Sequence, residues 1–208
     1  MQDRESGVWL NWNYVIISIV VVTALALTLM YVPDAVPFDK ELLKTIQDFL
    51  SPYPSYIPLF FSEFGYANWM TWPQITVVAV LTSHQRYLKA FLFLIAMQAA
   101  FRLPHLIKDF ICRERPCGDA YPGFSFPSVH STAIMTLMGI LIYLSLKYIR
   151  NTFARYLTVS IMGIYIVMVG VSRMWLNHHY PIDVCAGMFL GFVIVNLYII
   201  LDKTFTRL

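Results

Sequence analysis

Long stretches without a single Asp, Glu, Lys or Arg constrain this chain more than anything else in it. They run from Ser6 to Pro33, from Phe64 up to Arg86, from Ala120 to Leu146, from Tyr156 to Ser172 and from Val184 to Leu201. A helix needs about 20 apolar residues to cross about 30 Å of hydrocarbon. The windows approach or exceed that length, and a soluble core for a chain of this size could not hide them all. Of the 208 residues, 58% are hydrophobic and 13% charged, with a mean hydropathy of +0.61. Disorder is excluded, because its signature is low hydrophobicity. The formal net charge is +3 and the basic residues are scattered, so nucleic acid is not an expected partner. The bilayer is.

A sixth stretch, Tyr87 to Ile107, contains Lys89, Arg102 and Pro104 and is the weakest of the set. The expected fold is all-α: a six-transmembrane helical bundle with spans at 13–32, 60–82, 87–110, 128–148, 154–172 and 182–202. It forms one integral-membrane domain over 1–208. The apolar run of the first span is too long for a secretory signal and lacks a small-residue cleavage site, so it reads as a retained anchor. Between spans one and two, Phe38, Leu42, Leu43, Ile46, Phe49 and Leu50 fall on one helical face. Asp39, Lys40, Glu41, Lys44 and Asp48 occupy much of the other. This segment is expected either to lie flat in the outer interface or to pack on the bundle as a loop helix.

Lys147, Arg150 and Arg155 lie between spans four and five with no acidic residue among them, a cytoplasmic signal. Both termini are then cytoplasmic, and the 1–2, 3–4 and 5–6 connections face outward. Those connections hold the polar residues of interest. Polar groups are expensive in a membrane protein, so their concentration points to function. Lys108 to Pro116 reads KDFICRERP, with Lys108 and Arg115 seven residues apart. Phe126 to Ser131 reads FPSVHS, with Pro127 suited to a first helical turn. Ser128, Val129 and His130 would offer backbone N–H groups at a helix N-terminus, a ready anion site. Ser172 to Asp183 reads SRMWLNHHYPID. His179 and Asp183 are four apart across a helix start, so the carboxylate can hold an imidazole N–H and leave the other nitrogen as nucleophile or base. A metal held by His130, His178, His179 and Asp183 is the rival reading. Lys108, Arg115 and Arg173 would crowd such a metal, whereas cations beside histidines suit a phosphate dianion. No metal and no cofactor are therefore expected.

K-x6-R-P at Lys108–Pro116, P-S-x-H at Pro127–His130 and S-R-x5-H-x3-D at Ser172–Asp183, in that order, resemble the motifs of the type 2 phosphatidic acid phosphatase superfamily of lipid phosphatases and related phosphotransferases. The resemblance covers about residues 100 to 190. It implies that His179 is a nucleophile forming a phosphohistidine, Asp183 its orienting partner and His130 the general acid. Lys108, Arg115, Ser128, Val129 and Arg173 would bind phosphate. The expected activity is metal-independent hydrolysis of a lipid or isoprenoid phosphomonoester or diphosphate, with the substrate tail in the bilayer of a bacterial inner membrane and the site facing outward. Val129 stands where the family usually has Gly, which keeps transfer to an alcohol acceptor as the alternative. A non-catalytic phosphate-binding membrane protein would need the cations but not the His–His–Asp set. Cys112 and Cys117 could form a disulfide or remain thiols on the outer side.

Overall fold

The computed structural model describes residues 2–63, 67–120 and 122–205, without the side chains of 2–10, 67, 68 and 119. Its helices are α1 (Gln2–Tyr31), α2 (Ala35–Leu50), α3 (Tyr56–Glu63), α4 (Ala67–Ser83), α5 (Tyr87–Ile111), α6 (Val129–Tyr148), α7 (Thr152–Trp175) and α8 (Pro181–Phe205), with a 3-10 turn at Gly118–Ala120. No strand occurs among the described residues. Among the described residues, five helices are long and apolar enough to cross a bilayer: α1 from Asn11 onward, α5, α6, α7 and α8. The expected span at 60–82 is not one continuous described helix. It corresponds to the eight residues of α3 and the 17 of α4, on either side of residues 64–66, which lie outside the described residues.

The core is built around α6 and α8. Ala133, Ile134, Leu137 and Ile140 of α6 pack with Ile194, Val195 and Tyr198 of α8, joined by Phe93, Ala96, Met97 and Ala100 of α5 and Val169 of α7. Small residues set how closely α6 and α8 approach. A Cβ on Gly187 would sit 2.5 Å from the Ser128 carbonyl oxygen, and one on Gly191 would sit 2.7 Å from that of Thr132. Only glycine admits the backbone there, as in small-residue helix contacts generally. α1 lies against α8 through Val15, Val193 and Ile200, and Asn11 donates to Asn196 at 2.7 Å. Large apolar side chains remain on the outside, among them Ile17, Phe91, Phe110, Phe153 and Ile164, as a lipid-facing surface requires.

The helix ends that matter are fixed locally. Cys112 takes a left-handed conformation at φ 49° and closes α5 by donating its N–H to the Lys108 carbonyl. Ser128 caps α6, accepting from the Ser131 N–H at 3.3 Å. Pro127, expected in the first turn, instead precedes that cap and follows a cis Phe126–Pro127 bond. Pro181 opens α8, where its missing N–H costs nothing. On α2, Ala35, Asp39 and Leu43 form the buried stripe, while Phe38 and Phe49 are 62% and 72% exposed. Phe38 and Phe49 of the expected apolar face therefore point away from the bundle, while Leu43 of the same face packs into it.

Candidate active site

Four helix ends meet at one end of the bundle. The C-terminal turn of α5 brings Lys108, the last turn of α7 brings Arg173, and the first turns of α6 and α8 bring His130 and Asp183. The α5–α6 loop adds Arg115, and the α7–α8 turn adds His178 and His179. The structure thus gathers all eight expected site residues at this end: Lys108, Arg115, Ser128, Val129, His130, Arg173, His179 and Asp183.

His179 sits at the centre and is 2% exposed. Its placement begins in the backbone of α7, where the Arg173 carbonyl accepts the N–H groups of both His178 (3.0 Å) and His179 (3.2 Å). Asn177, at φ 60°, makes the turn possible. The imidazole Nδ1 faces Asp183 Oδ2 at 3.6 Å, a near contact rather than a hydrogen bond. That carboxylate is already occupied. Oδ2 accepts the Tyr180 N–H at 2.9 Å and Oδ1 accepts from Arg113 at 2.6 Å. The imidazole Nε2 lies 3.2 Å from Arg115 Nη1. Burial pushes the His179 imidazole well below its usual range, and Lys108, Arg173 and Arg115 push the same way. A neutral ring whose Nε2 faces a cation has its lone pair available where an anion would bind. His178 is depressed to about 4 by burial and by the charges of Arg173 and Arg115.

The three expected cations are held by neutral oxygens. Lys108 Nζ donates to the Phe124 and Ser125 carbonyls, the latter at 2.9 Å. Arg115 donates to the carbonyls of Gly123 (2.9 Å) and His178 (3.0 Å). Arg173, fully buried, donates from Nη1 to the Ser62 hydroxyl on α3. Such contacts hold the three side chains in place at the site end. Lys108 and Arg115 do not share a helical face as their spacing suggested, because α5 stops at Ile111 and the loop carries Arg115 back. The Ser128 backbone N–H is taken by the Asp183 carbonyl at 3.0 Å, and its hydroxyl accepts from Ser131 Oγ at 3.0 Å, so Ser128 ties α6 to α8 as well as capping it. Val129 and His130, in the first turn of α6, are half-buried beside that junction.

Two participants were not singled out from sequence. Arg113 bridges Asp183 to Asp39 of α2, at 2.6 and 2.8 Å, and its guanidinium lies 4.1 Å above the Tyr180 ring. Asp39, on the polar face of α2, is completely buried. The available signal was its i, i+4 spacing from Ala35 and Leu43. Cys112, Cys117 and Cys185 are free thiols. Beside Arg115 a cleft of about 470 Å³ opens, lined by Lys40, Lys44 and Gln47 of α2 with Asn177 and Tyr180.

Buried cations around a buried histidine at one end of a membrane-spanning helical bundle form a setting suited to an anion. Residues 87–207 match the family model described as the PAP2 superfamily, and the chain belongs to that superfamily. Over 111 residues it is 32% identical to phosphatidylglycerophosphatase B of Bacillus subtilis (strain 168), a match covering 50% of this chain and 54% of that protein. The chain therefore matches about half the length of this curated relative. Its fold is similar to the crystal structure of a transmembrane PAP2-type phosphatidylglycerolphosphate phosphatase from Bacillus subtilis, with a TM-score of 0.79 at 20% identity over 95% of this chain and 98% of that one. It is also similar to Aquifex aeolicus LpxE, with a TM-score of 0.59 at 19% identity over 76% and 93%.

Proposed function

We propose that this protein is a membrane lipid phosphatase that hydrolyses a lipid or isoprenoid phosphomonoester or diphosphate through a phosphohistidine. The observation that carries the reading is the position of His179, with Nδ1 toward Asp183, Nε2 beside Arg115, and the charges of Lys108 and Arg173 acting on the ring. In the first step Nε2 attacks phosphorus, the phosphorus–oxygen bond to the lipid breaks, and His130 gives its proton to the departing oxygen. In the second, His130 takes a proton from water as that water attacks phosphorus, the N–P bond breaks and inorganic phosphate leaves. Lys108, Arg115 and Arg173 neutralise the equatorial oxygens, with the first N–H groups of α6 beside them. These charges do the work a divalent ion would otherwise do, so turnover is expected to persist in EDTA.

The termini and the start of α5 lie toward the cytoplasm in this reading, and the site faces outward. The helix ends support a sixth crossing. α3 meets Arg173 at the site end through Ser62, while α4 finishes beside α5 and Tyr148 at the other end. The two together then carry the chain across. The exposed Phe38 and Phe49 fit an α2 lying in the outer interface, with the cleft of Lys40 and Lys44 open to a head group. All 208 residues then form one domain.

The test is phosphate release by the purified protein in detergent, with chelator present. The panel is phosphatidic acid, phosphatidylglycerophosphate, undecaprenyl diphosphate and lipid A phosphate. The name of the Bacillus relative puts phosphatidylglycerophosphate first. Acid-labile, base-stable label trapped on the wild type and lost in His179→Ala is the expected signature. Label moving to an acceptor lipid with negligible inorganic phosphate would replace hydrolysis by transfer.

A further inference from the structure

We propose that Asp39 and Arg113 are positioning residues for this reaction, with Arg113 bridging the carboxylate of α2 to the carboxylate that faces His179. The inference rests on the phosphohistidine reading. Arg113 Nη1 donates to Asp183 Oδ1 at 2.6 Å and Nη2 donates to Asp39 Oδ2 at 2.8 Å. All three side chains are buried, at 9% exposure for Arg113 and 0% for each aspartate. The rigid fork of a guanidinium can hold two carboxylates in one plane in a way an ammonium cannot. Tyr180, adjacent to His179, lies under that plane. Asp39 Oδ1 also accepts the Ile182 N–H at 3.1 Å, so α2 grips the first turn of α8 twice.

The charge arithmetic explains why a second aspartate is useful. Arg113 alone would neutralise Asp183 and leave His179 backed by a zwitterion. With Asp39 included, two carboxylates share one guanidinium, and a net negative charge faces the imidazole. Burial pushes the Asp39 carboxyl above its usual range, against the pull of Arg113. Both of its oxygens accept hydrogen bonds, as a carboxylate does. His179 is otherwise faced by cations and neutral rings: Lys108 from α5, Arg115 from the loop, His130 from α6, Arg173 from α7 and His178 beside it. Asp183 is the carboxylate against it, and Asp39 acts through Arg113 to keep that carboxylate both placed and effectively charged.

The experiment is a pH–rate profile of the full chain in detergent, on a lipid phosphate the wild type hydrolyses. Asp39→Asn should lower kcat about tenfold, as loss of an outer partner of a working histidine does, with KM within about twofold. Removing a nearby negative charge makes the imidazolium easier to deprotonate, so the acid limb of kcat should move to lower pH by about half a unit or more. Asp39→Glu should restore the position of that limb. A variant whose melting temperature drops while kcat and the acid limb stay at wild-type values would show α2 to be a strap only, and would overturn the proposal. If Asp39→Asn does not purify folded, Arg113→Lys keeps the charge and loses the fork. It should then show the tenfold kcat loss at steady KM, and an unchanged kcat would equally overturn the proposal. A wild type that releases no phosphate from any lipid would instead remove the underlying phosphatase reading, and this inference with it.

Discussion

Both ends of the bundle bury charge, and they do so in opposite ways. At the end away from the site, Asp202 of α8 accepts from Lys89 of α5, from Lys147 of α6 at 2.7 Å and from the Tyr143 hydroxyl at 2.6 Å. The carboxylate is saturated, and its partners close three helices onto one another. At the site end the carboxylates are drawn together on Arg113, while Lys108, Arg115 and Arg173 rest on carbonyls and a hydroxyl. One end spends its charges on itself and becomes a staple. The other sets its cations around His179, with backbone carbonyls and a hydroxyl among their partners. Two kinds of buried charge thus occur in one bundle, and their partners tell them apart.

The largest expected effect separates the ends outright. His179→Ala should lower turnover by at least about a thousandfold, as loss of a covalent nucleophile does. The melting temperature should change little. Measurable phosphate release by that variant, with label still trapped, would move the nucleophile elsewhere. Arg115→Gln comes next. It removes one preorganised donor from the phosphate and should cost about a hundredfold in kcat. A loss confined to KM would mean that Arg115 binds the head group rather than the reacting phosphoryl.

At the other end the expectation inverts. Asp202→Asn leaves Lys89 buried beside a neutral partner and should cost about 3–5 kcal/mol of stability, as breaking a buried pair does. Activity per folded molecule should stay within about threefold, since no group there touches the reaction. Thermal unfolding and specific activity on the same preparation check both halves. A hundredfold loss of activity in the folded variant would show the two ends to be coupled and break the contrast.

What the sequence displayed and what it hid divide along the same lines. The site cations and histidines were legible because each lies in a short motif at a helix end, where spacing and charge stand out against apolar runs. Four of the five long apolar helices were legible for the complementary reason, and α5 emerged despite Lys89 because its apolar positions outnumber its charges. The ion pairs were not legible. Asp39 and Arg113 are 74 residues apart, and Lys89 and Asp202 are 113 apart, so no local pattern ties them. Lys147 reads as a loop charge and Lys89 as a charge inside a span, yet both bind the buried Asp202 carboxylate. The segment 60–82 reads as one span by hydropathy, and residues 64–66 between α3 and α4 lie outside the described residues. Asp39 was hidden for a related reason: it shares the buried stripe of α2 with Ala35 and Leu43 while Phe38 and Phe49 are exposed, so the side turned inward carries a carboxylate.

The smallest expected effect is the acid sensitivity of the site end. His178 titrates near 4 in the fold against an ordinary value near 6.5, and His179 is also depressed. When a histidine is held neutral by burial, the unfolded chain takes up its proton first as the pH drops. Stability from these two residues is therefore fully present above about 6.5 and declines as the pH falls below it, for His178 toward about 4. Asp39 works in the other direction, because a carboxyl raised by burial gains its proton earlier in the folded state. The net slope is thus shallower than the histidines alone would make it. A difference between variants isolates their share. His178→Gln should flatten the decline in melting temperature between pH 6.5 and 4 without altering the melting temperature at pH 7.5 by more than about 3 °C. Its ring is not assigned to the chemistry, so phosphate release should also persist within about threefold. A slope identical to wild type would mean that the acid sensitivity arises elsewhere. Loss of turnover in a folded His178→Gln would instead bring that ring into the site.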